Sequence, residues 1–385
     1  MSEKKNPVGL RATRRAVRNA VKKNEKKPCC CSSGSCCAAE PITSYSDKDK
    51  WVTGEIHTPQ GGVPVVSISL SFKDVLGAWK VRCGIGRMDY KTNPGLYAVG
   101  KPDQTSPVLV SANYKLTFDT LRKELSGLNC WILILDTKGI NVWCAAGKGT
   151  FGTDELVSRI SKTGLSKIVS HKALILPQLG APGISAHEVT KQTGFSVVYG
   201  PVRARDIKAF IASGFQATEA MRTVKFTAWD RLVLAPMELI PAAKISLMVF
   251  GVLFLINLFA ARPFGLADFV AYVGAVVTGT VLTPLLLPLI PGRAFAWKGW
   301  LIGLLWTAGF VWLNGWFASD LLLLAMGYLL ALPSLSAYLA MNFTGSSTYT
   351  SFSGVIREMK AAVPLIALSS VAGIVLVLVT ALTAS

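Results

Sequence analysis

The chain has 385 residues, more than a single domain usually needs, and its 40 Lys and Arg outnumber its 22 Asp and Glu for a net charge of +18. Residues 1–27 carry ten basic and two acidic side chains, whereas residues 244–385 hold only nine charged ones. This asymmetry predicts a basic tail and a membrane-embedded C-terminal part. The sequence has no zinc-finger spacing and no RRM signature, so we expect no nucleic acid partner, and anionic lipid headgroups suit the tail better.

Five of the eight cysteines lie in residues 1–62, a basic tail and polar linker that we expect to be disordered. Their bunching differs from the spaced framework of a secreted disulfide scaffold, so a reducing cytoplasm is the better interpretation. Adjacent thiolates can chelate a soft ion such as Hg(II), while lipidated or incidental thiols are the alternatives. The cluster consists of Cys29, Cys30, Cys31, Cys36 and Cys37.

Residues 63–243 alternate between strand-like apolar runs and helix-like segments. Strands are predicted at 63–72, 77–81, 108–110, 131–135, 173–176, 195–199 and 224–226, and helices around 116–125, 153–161, 185 onward, 205–212 and 229–240. This alternation predicts a Rossmann-like α/β domain with a mostly parallel sheet. Ligands of such sheets bind at the carboxyl ends of strands, so the turns after Leu135, Leu176 and Tyr199 are expected to converge on one pocket.

The strongest candidate site is the segment GINVWCAAGKGT at residues 139–150, which follows the apolar run 131–135. Asn141 is a good N-cap, so Cys144 would lie in the first helical turn, where free backbone amides and the helix dipole stabilise a thiolate. The Ala-Ala-Gly run at 145–147 leaves a flat surface for a broad planar group. This pattern indicates a metal ligand or a nucleophile, with a buried small hydrophobe as the alternative. A phosphate-binding loop is excluded because the GxxxxGK[ST] spacing fails at two positions.

Residues 141–148, NVWCAAGK, resemble at every position the N-(V/I)-W-C-A-(A/G)-G-K signature of the mercury-methylation corrinoid proteins. The likeness extends from about Pro64 to the C-terminus and includes PGLYAVG at 94–100 and GTFGTDEL at 149–156. That family is a membrane-anchored relative of the corrinoid iron–sulfur protein large subunit, which lacks the cysteine. The resemblance implies a cap helix over a cobalamin, with Cys144 as the lower axial ligand of its cobalt.

The resemblance also implies a cobalamin-dependent methyltransferase that carries a methyl group on cobalt and transfers it to inorganic Hg(II), forming methylmercury. A thiolate donates more electron density than an imidazole, which favours passing the methyl group, as an anion or a radical, to a thiophilic metal ion. Because the sequence has no CxxCxxC run, the electron donor is expected to be a separate protein. The resemblance implies that this donor is a ferredoxin-like iron–sulfur protein and that the methyl donor comes from folate-linked one-carbon metabolism in an anaerobe.

The expected cofactor-binding residues come from the cap segment and from the turns that should converge beside it. They are Asn141, Val142, Trp143, Cys144, Ala145, Ala146, Gly147, Lys148, Thr150 and Phe151, then Gln178, Leu179, Gly180, Ala181 and Gly183, then Gly200, Pro201, Val202 and Arg203, with Asn113 and Tyr114 as weaker candidates. None of the three histidines lies in the D-x-H-x-x-G pattern of many cobalamin proteins. Cys144 is therefore the expected cobalt ligand and catalytic residue.

Residues 244–385 contain five uncharged runs of about membrane-spanning length, at 245–261, 269–292, 299–319, 321–341 and 361–385. Basic loop residues weakly favour placing the α/β domain in the cytoplasm, so we expect a multi-pass protein of the cell (inner) membrane. The runs lack ionisable side chains, which disfavours a transporter and predicts an anchor of five helices. The alternative function is a membrane-tethered corrinoid methyl carrier, or a thiol metal-binding protein, that acts on another acceptor.

Overall fold

The computed structural model describes Thr43 and residues 49–317, 321–346 and 352–383, so the cysteine cluster of the tail lies outside the described residues. Seven strands form one sheet, and the three central ones are buried along their whole length and apolar apart from Ser111, as expected for strands covered on both faces. The strands are β1 (Val52–Thr58), β2 (Gly61–Val66), β3 (Gly95–Val99), β4 (Val108–Ala112), β5 (Cys130–Leu135), β6 (Ala173–Leu176) and β7 (Ser196–Tyr199).

The strand order is β1-β2-β3-β5-β4-β6-β7. Strands β5, β4, β6 and β7 are mutually parallel, so their carboxyl ends lie at the same edge of the sheet. Strand β3 is antiparallel to β5 and parallel to β2, and β1 forms an antiparallel hairpin with β2. The expected α/β domain with a mostly parallel sheet is confirmed, although β3 brings an antiparallel pairing next to its centre.

Helices pack on both faces of the sheet. One core cluster includes Phe151, Leu156 and Phe195, and the other contains Phe118 and Phe210. The helices of this part are α1 (Phe72–Arg82), α2 (Lys115–Glu124), α3 (Val142–Gly147), α4 (Thr153–Thr163), α5 (Ala186–Thr193), α6 (Ile207–Ala212), α7 (Glu219–Arg222) and α8 (Ala228–Leu232).

The segment predicted as a strand at 77–81 belongs to the helix α1. A capping box starts this helix, because the Ser71 hydroxyl accepts from the backbone N–H of Asp74 while the Asp74 carboxylate accepts from that of Ser71 at 2.9 Å. Gly77 allows α1 to approach Tyr90, since a Cβ there would lie 2.5 Å from the Tyr90 hydroxyl oxygen. Of the apolar residues that suggested a strand, Trp79 is exposed and Val81 is buried, so they lie on different sides of this helix.

A buried ion network connects α1 to α2. The fully buried Arg122 guanidinium contacts Asp74 and Asp119, each at 2.8 Å, and Lys115 Nζ lies 2.9 Å from Asp74 Oδ1. Two cations face two carboxylates, so the buried charges are balanced. Burial by itself raises the pKa of Asp74, but hydrogen bonds from Lys115 and Ser71 and the Lys115 charge lower it to about 2.

Three further expectations are corrected near the ends of this part. Residues 52–58, predicted as linker, form β1, and the neighbouring Trp51 ring packs against Phe118 with centroids 5.0 Å apart. The strand predicted over 63–72 ends at Val66, where its pairing with β1 ends. Residues 224–226 form an irregular loop rather than a strand, and Phe226 packs on the C-terminal helices.

The C-terminal part is helical. Its helices are α9 (Pro236–Asn257), α10 (Leu266–Val277), α11 (Thr283–Leu286), α12 (Phe295–Leu313), α13 (Leu322–Asn342) and α14 (Phe352–Thr383), with a π-helical turn at Thr278–Leu282. Within the described residues, four stretches are long and apolar enough to cross a membrane, namely Ala228–Asn257, Leu266–Leu286, Leu322–Asn342 and Ser353–Thr383. The helix α12 is not among them, so the count of five spans stays a prediction.

The stretch Leu266–Leu286 begins three residues before the predicted run 269–292 and therefore includes the ionisable residue Asp268. This buried carboxylate caps α10 by accepting from the backbone N–H of Gly265 at 2.8 Å. It also accepts from the Tyr328 hydroxyl at 2.5 Å and lies 3.7 Å from a guanidinium nitrogen of Arg262. Asp268 thus lies at the N-terminal end of α10, and its charge is paired with Arg262 rather than isolated.

Candidate functional site

The cap helix α3 begins as the sequence predicts. Asn141 has an extended backbone, and its Oδ1 accepts a hydrogen bond from the backbone N–H of Cys144 at 2.9 Å. Cys144 thus lies in the first turn, with a free, half-buried thiol. The next two residues, Ala145 and Ala146, are buried against the core, whereas Gly147 and Lys148 are exposed. The helix therefore fixes the cysteine at the boundary between the core and the solvent.

Asn113, at the carboxyl end of β4, holds the loop that leads into α3. Its buried Oδ1 accepts from the backbone N–H of Thr137 at 3.1 Å, the Thr137 hydroxyl at 2.9 Å and the backbone N–H of Gly139 at 3.0 Å. Its Nδ2 donates to Asp136 at 3.1 Å. Lys138 and Gly139 both have positive φ, so this loop needs such support. The Asn113 side chain is thus a positioning group whose polar atoms are engaged within the protein.

The turn Gln178–Gly183 packs against α3. A Cβ on Gly180 would lie 2.5 Å from the Phe151 ring, and one on Gly183 would lie 2.1 Å from the Phe151 carbonyl oxygen and 3.0 Å from the Ala146 Cα. Phe151 is fully buried between these elements. Both glycines, predicted as cofactor-binding, are therefore contact points that allow the turn to approach the cap helix.

A cavity of about 440 Å³ lies at the carboxyl edge of the parallel strands. It is lined from β4, from the residues after β6 and β7, and from the first turn of α3, so the predicted convergence of these segments is observed. The lining is mostly apolar, and it also includes parts of α1, α2 and α6. The predicted site residues in the lining are Tyr114, Asn141, Val142, Trp143, Leu179, Gly200, Pro201 and Val202. Cys144 follows these cap residues directly in the chain and is not itself among the lining residues.

The other predicted site residues are not part of the cavity lining. Arg203 donates to Asp230 at 3.1 Å, which connects the turn after β7 to α8, and the Gln178 amide oxygen accepts from Arg222 at 3.4 Å. The residues outside the lining are Asn113, Cys144, Ala145, Ala146, Gly147, Lys148, Thr150, Phe151, Gln178, Gly180, Ala181, Gly183 and Arg203. Several of them hold the cap helix in place instead.

Sequence reasoning missed four polar lining residues, namely Arg82, Ser111, Thr117 and Thr120. Thr117 and Thr120 follow Tyr114 at helical spacing, so the first turns of α2 carried a usable signal. Arg82 carried none, because its helix was predicted as a strand. Burial raises the pKa of Tyr114, so its hydroxyl keeps its proton at neutral pH.

The three described cysteines differ in surroundings. Cys130 is buried in β5, and burial raises its pKa to about 12, so it stays a protonated core residue. Cys83 is half-buried at the end of α1, and Cys144 is half-buried in the first turn of α3. Across the described part of the chain, no group of three or more His, Cys, Asp and Glu side chains could hold a metal ion.

Residues 81–211, which contain β3 to β7, the cavity edge and the cap helix, match the protein family described as "CO dehydrogenase/acetyl-CoA synthase delta subunit". Similar proteins include the acetyl-CoA decarbonylase/synthase complex subunit gamma of Methanocaldococcus jannaschii, 31% identical over 131 residues, which are 34% of this chain and 26% of the relative. Subunit gamma 2 of Methanosarcina thermophila is 38% identical over 111 residues, 28% of this chain and 23% of the relative. The gamma subunit of Archaeoglobus fulgidus is 30% identical over 135 residues, 34% of this chain and 28% of the relative.

The chain spans about a quarter of the length of these curated relatives. The N-terminal tail, the β1–β2 hairpin and the apolar helices lie outside the matched segment. The α/β part of this chain is therefore similar to a portion of the CO dehydrogenase/acetyl-CoA synthase subunits.

Proposed function

We propose that the α/β part binds a corrinoid and that Cys144 is the lower axial ligand of its cobalt. The observation that carries this proposal is the cap at Asn141, which fixes the Cys144 thiol in the first turn of a helix beside the cavity. The residues suit a broad apolar group, because the cavity lining is mostly apolar and a Cβ on the exposed Gly147 would meet nothing within 4 Å. A thiolate is a soft ligand that matches a transition metal held in such a group.

The proposed reaction is methyl transfer to inorganic Hg(II). When bound, the corrinoid would supply a cobalt–carbon bond whose methyl group can be passed to an acceptor. The chain contributes the electron-donating thiolate of Cys144, the cap that orients it and an apolar lining that limits water. The choice of Hg(II) rests on the NVWCAAGK signature at residues 141–148. The proposed role of the tail cysteines in Hg(II) capture concerns residues outside the described part of the chain.

The partners follow from the same proposal. The sequence holds no CxxCxxC run, so a separate ferredoxin-like iron–sulfur protein would supply electrons and a folate-linked donor would supply the methyl group. Relatives of the matched segment are named as subunits of complexes, which supports a function that depends on partner proteins. The apolar helices support an anchor in a membrane. The basic residues of the loops support the proposal that this is the cell (inner) membrane, with the α/β part in the cytoplasm.

The test compares Cys144→Ala with Cys83→Ala, because both thiols are free and half-buried. The full chain is supplied anaerobically with cobalamin, a reductant, a methyl donor and Hg(II), and both the corrinoid absorbance and the methylmercury formed are measured. Cys144→Ala is expected to shift the spectrum and abolish methylmercury formation, while Cys83→Ala behaves as the wild type. Cys144→His is expected to retain the corrinoid with an altered spectrum. A spectrum and turnover indifferent to Cys144→Ala would refute the ligand assignment.

A second candidate is a membrane-tethered methyl carrier, or a thiol metal-binding protein, that acts on another acceptor. The names of the relatives favour the carrier, because they are subunits of acetyl-CoA-forming or acetyl-CoA-cleaving complexes. Methyl loading of the bound corrinoid without methylmercury formation on addition of Hg(II) would select this candidate.

A further inference from the structure

The helix α1 turns an apolar face to the outside of the α/β part. Its exposed apolar residues recur at positions i, i+3, i+4 and i+7, which lie on one side of a helix. The exposed fractions are 80% for Phe72, 42% for Val75, 43% for Leu76 and 59% for Trp79, and the surface continues into the next loop with Ile85 at 55% and Met88 at 60%. We call these six residues the α1 face. An exposed apolar helix face of this kind is typical of a site that contacts a partner or a membrane.

Basic side chains border the α1 face. Lys73 and Lys80 are exposed on the helix, and Arg82 and Arg87 are half-buried at its end and in the following loop. The acidic residue within the helix, Asp74, is neutralised by the buried ion network with α2. An apolar face that carries a tryptophan and is flanked by lysines and arginines suits the interfacial layer of an anionic bilayer.

The α1 face also lies beside the start of the apolar helices. The Arg87 guanidinium donates to the sulfur of Met237, in the first turn of α9. Met237 precedes Ile245, where the uncharged run begins, by eight residues, or about 12 Å of helix. The headgroup layer extends roughly 5–8 Å beyond the hydrocarbon core on each side, so Met237 would lie roughly 4–7 Å beyond its outer boundary.

A second set of contacts places α8 at the same end of the apolar helices. Phe226, in the loop just before α8, packs with Phe343, Leu287 and Phe295 at the ends of the apolar helices. Arg231 of α8 donates to the Leu285 carbonyl oxygen at 2.9 Å. The loop that follows α1, the helix α8 and the first turn of α9 therefore occupy the same end of the helical bundle, where an interfacial layer would begin.

We propose that the α1 face lies in the interfacial layer of an anionic bilayer, a proposal that rests on the membrane anchoring proposed above. The α/β part then has two attachments to the membrane, the chain connection through α9 and the α1 face. Arg82 lines the cavity at the end of α1, and Arg87 lies 6.0 Å from the centroid of the cavity residue Tyr114. Membrane contact at α1 therefore fixes the orientation of the cavity relative to the bilayer surface.

The test uses the full chain reconstituted in vesicles of phosphatidylcholine and phosphatidylglycerol. The photoreactive residue p-benzoylphenylalanine replaces Leu76 on the α1 face, Lys123 as an exposed control on α2, or Val252 as a control on α9, where the side chain is 52% exposed. Lipid adducts are then quantified by mass spectrometry. We expect several-fold more lipid adduct at position 76 than at position 123, with a marked loss in vesicles of phosphatidylcholine alone.

The controls separate the docking of the α1 face from the membrane anchoring on which it rests. Lipid adducts at position 252 but none at position 76 would overturn the docking of α1 while leaving the anchor intact. Adducts of position 76 with a protein, either another copy of the chain or an added iron–sulfur protein, would overturn it in favour of a protein interface. Failure of position 252 to label lipid would refute the membrane anchoring, and the docking of α1 with it.

Discussion

The replacement Asn113→Ala tests how the cap helix is held. It removes the oxygen that accepts the backbone N–H groups of Thr137 and Gly139 and the Thr137 hydroxyl, at 2.9–3.1 Å. Thr137 and Gly139 are both buried, so their N–H groups lose an acceptor that water replaces poorly. A buried unsatisfied group costs about 1–3 kcal/mol, and the Thr137 hydroxyl keeps its second bond to the Ile140 carbonyl oxygen. We therefore expect Asn113→Ala to lower the free energy of unfolding by about 2–4 kcal/mol.

The assay has two readouts on the full chain in detergent. Thermal unfolding followed by circular dichroism reports stability, and mass spectrometry of the cap-helix peptide reports the alkylation rate of Cys144. Asn113→Ala is expected to unfold at a lower temperature and to alkylate faster, because the loop before the cap helix loosens. Asn129→Ala is the matched control, since its exposed side chain accepts a backbone N–H from Lys101 at 2.9 Å, and we expect it to change both readouts little.

The variant Asn113→Asp separates the acceptor from the donor at this position. It keeps an oxygen for the loop but places a second oxygen opposite the Asp136 carboxylate, to which the native Nδ2 donates at 3.1 Å. The pKa of Asp136 is held below its usual range because hydrogen bonds, chiefly those from Lys138, outweigh burial, so it is ionised at neutral pH. Asn113→Asp should therefore be destabilised at neutral pH and recover in mild acid. Wild-type stability and alkylation in Asn113→Ala would refute the reasoning.

Three further predictions follow from the described contacts. Gly183→Ala places a Cβ 2.1 Å from a backbone carbonyl oxygen and should cost about 1–3 kcal/mol of stability, measured by thermal unfolding. The Cβ of Gly147→Ala meets open space, so this variant should keep its stability. Weakened corrinoid binding by Gly147→Ala would then indicate that the planar group covers that surface. Lowering the pH from about 4 to about 2 should remove about 2 kcal/mol of stability, because the folded-state pKa of Asp74 is lowered from 3.8 to about 2 and protonation then favours the unfolded chain. An acid titration of the unfolding free energy in the wild type and in Asp74→Asn measures this effect. The same dependence of stability on pH in both proteins would contradict it. In the native chain a thiol reagent should modify Cys144 well before Cys130, and peptide mass spectrometry that finds equal rates would contradict the burial of Cys130.

The sequence by itself determined the local elements whose signals are contained within a few residues. The Asn141 cap and the first-turn position of Cys144 follow from the intrinsic preference of Asn for an N-cap. The strand β6 was predicted at its observed bounds because an uninterrupted apolar run reports a strand buried on both faces. Parallel order among β4 to β7 then requires their carboxyl ends to meet, so the location of the cavity was also predictable.

The tertiary structure decided which of the predicted residues face the cavity and which support the cap helix. Gly180 and Gly183 contact Phe151 rather than the cavity. The Asn113 side chain accepts hydrogen bonds from a loop that lies more than twenty residues away in sequence. The helix α1 was misread as a strand because Trp79, Val81, Cys83 and Ile85 recur at every second position. In the structure Trp79 is exposed and Val81 is buried, and the inner side of the helix is held by charges on α2. Contacts between distant segments carry no local signal, since each depends on where the chain brings its partner, and that placement exists only once the sheet has formed.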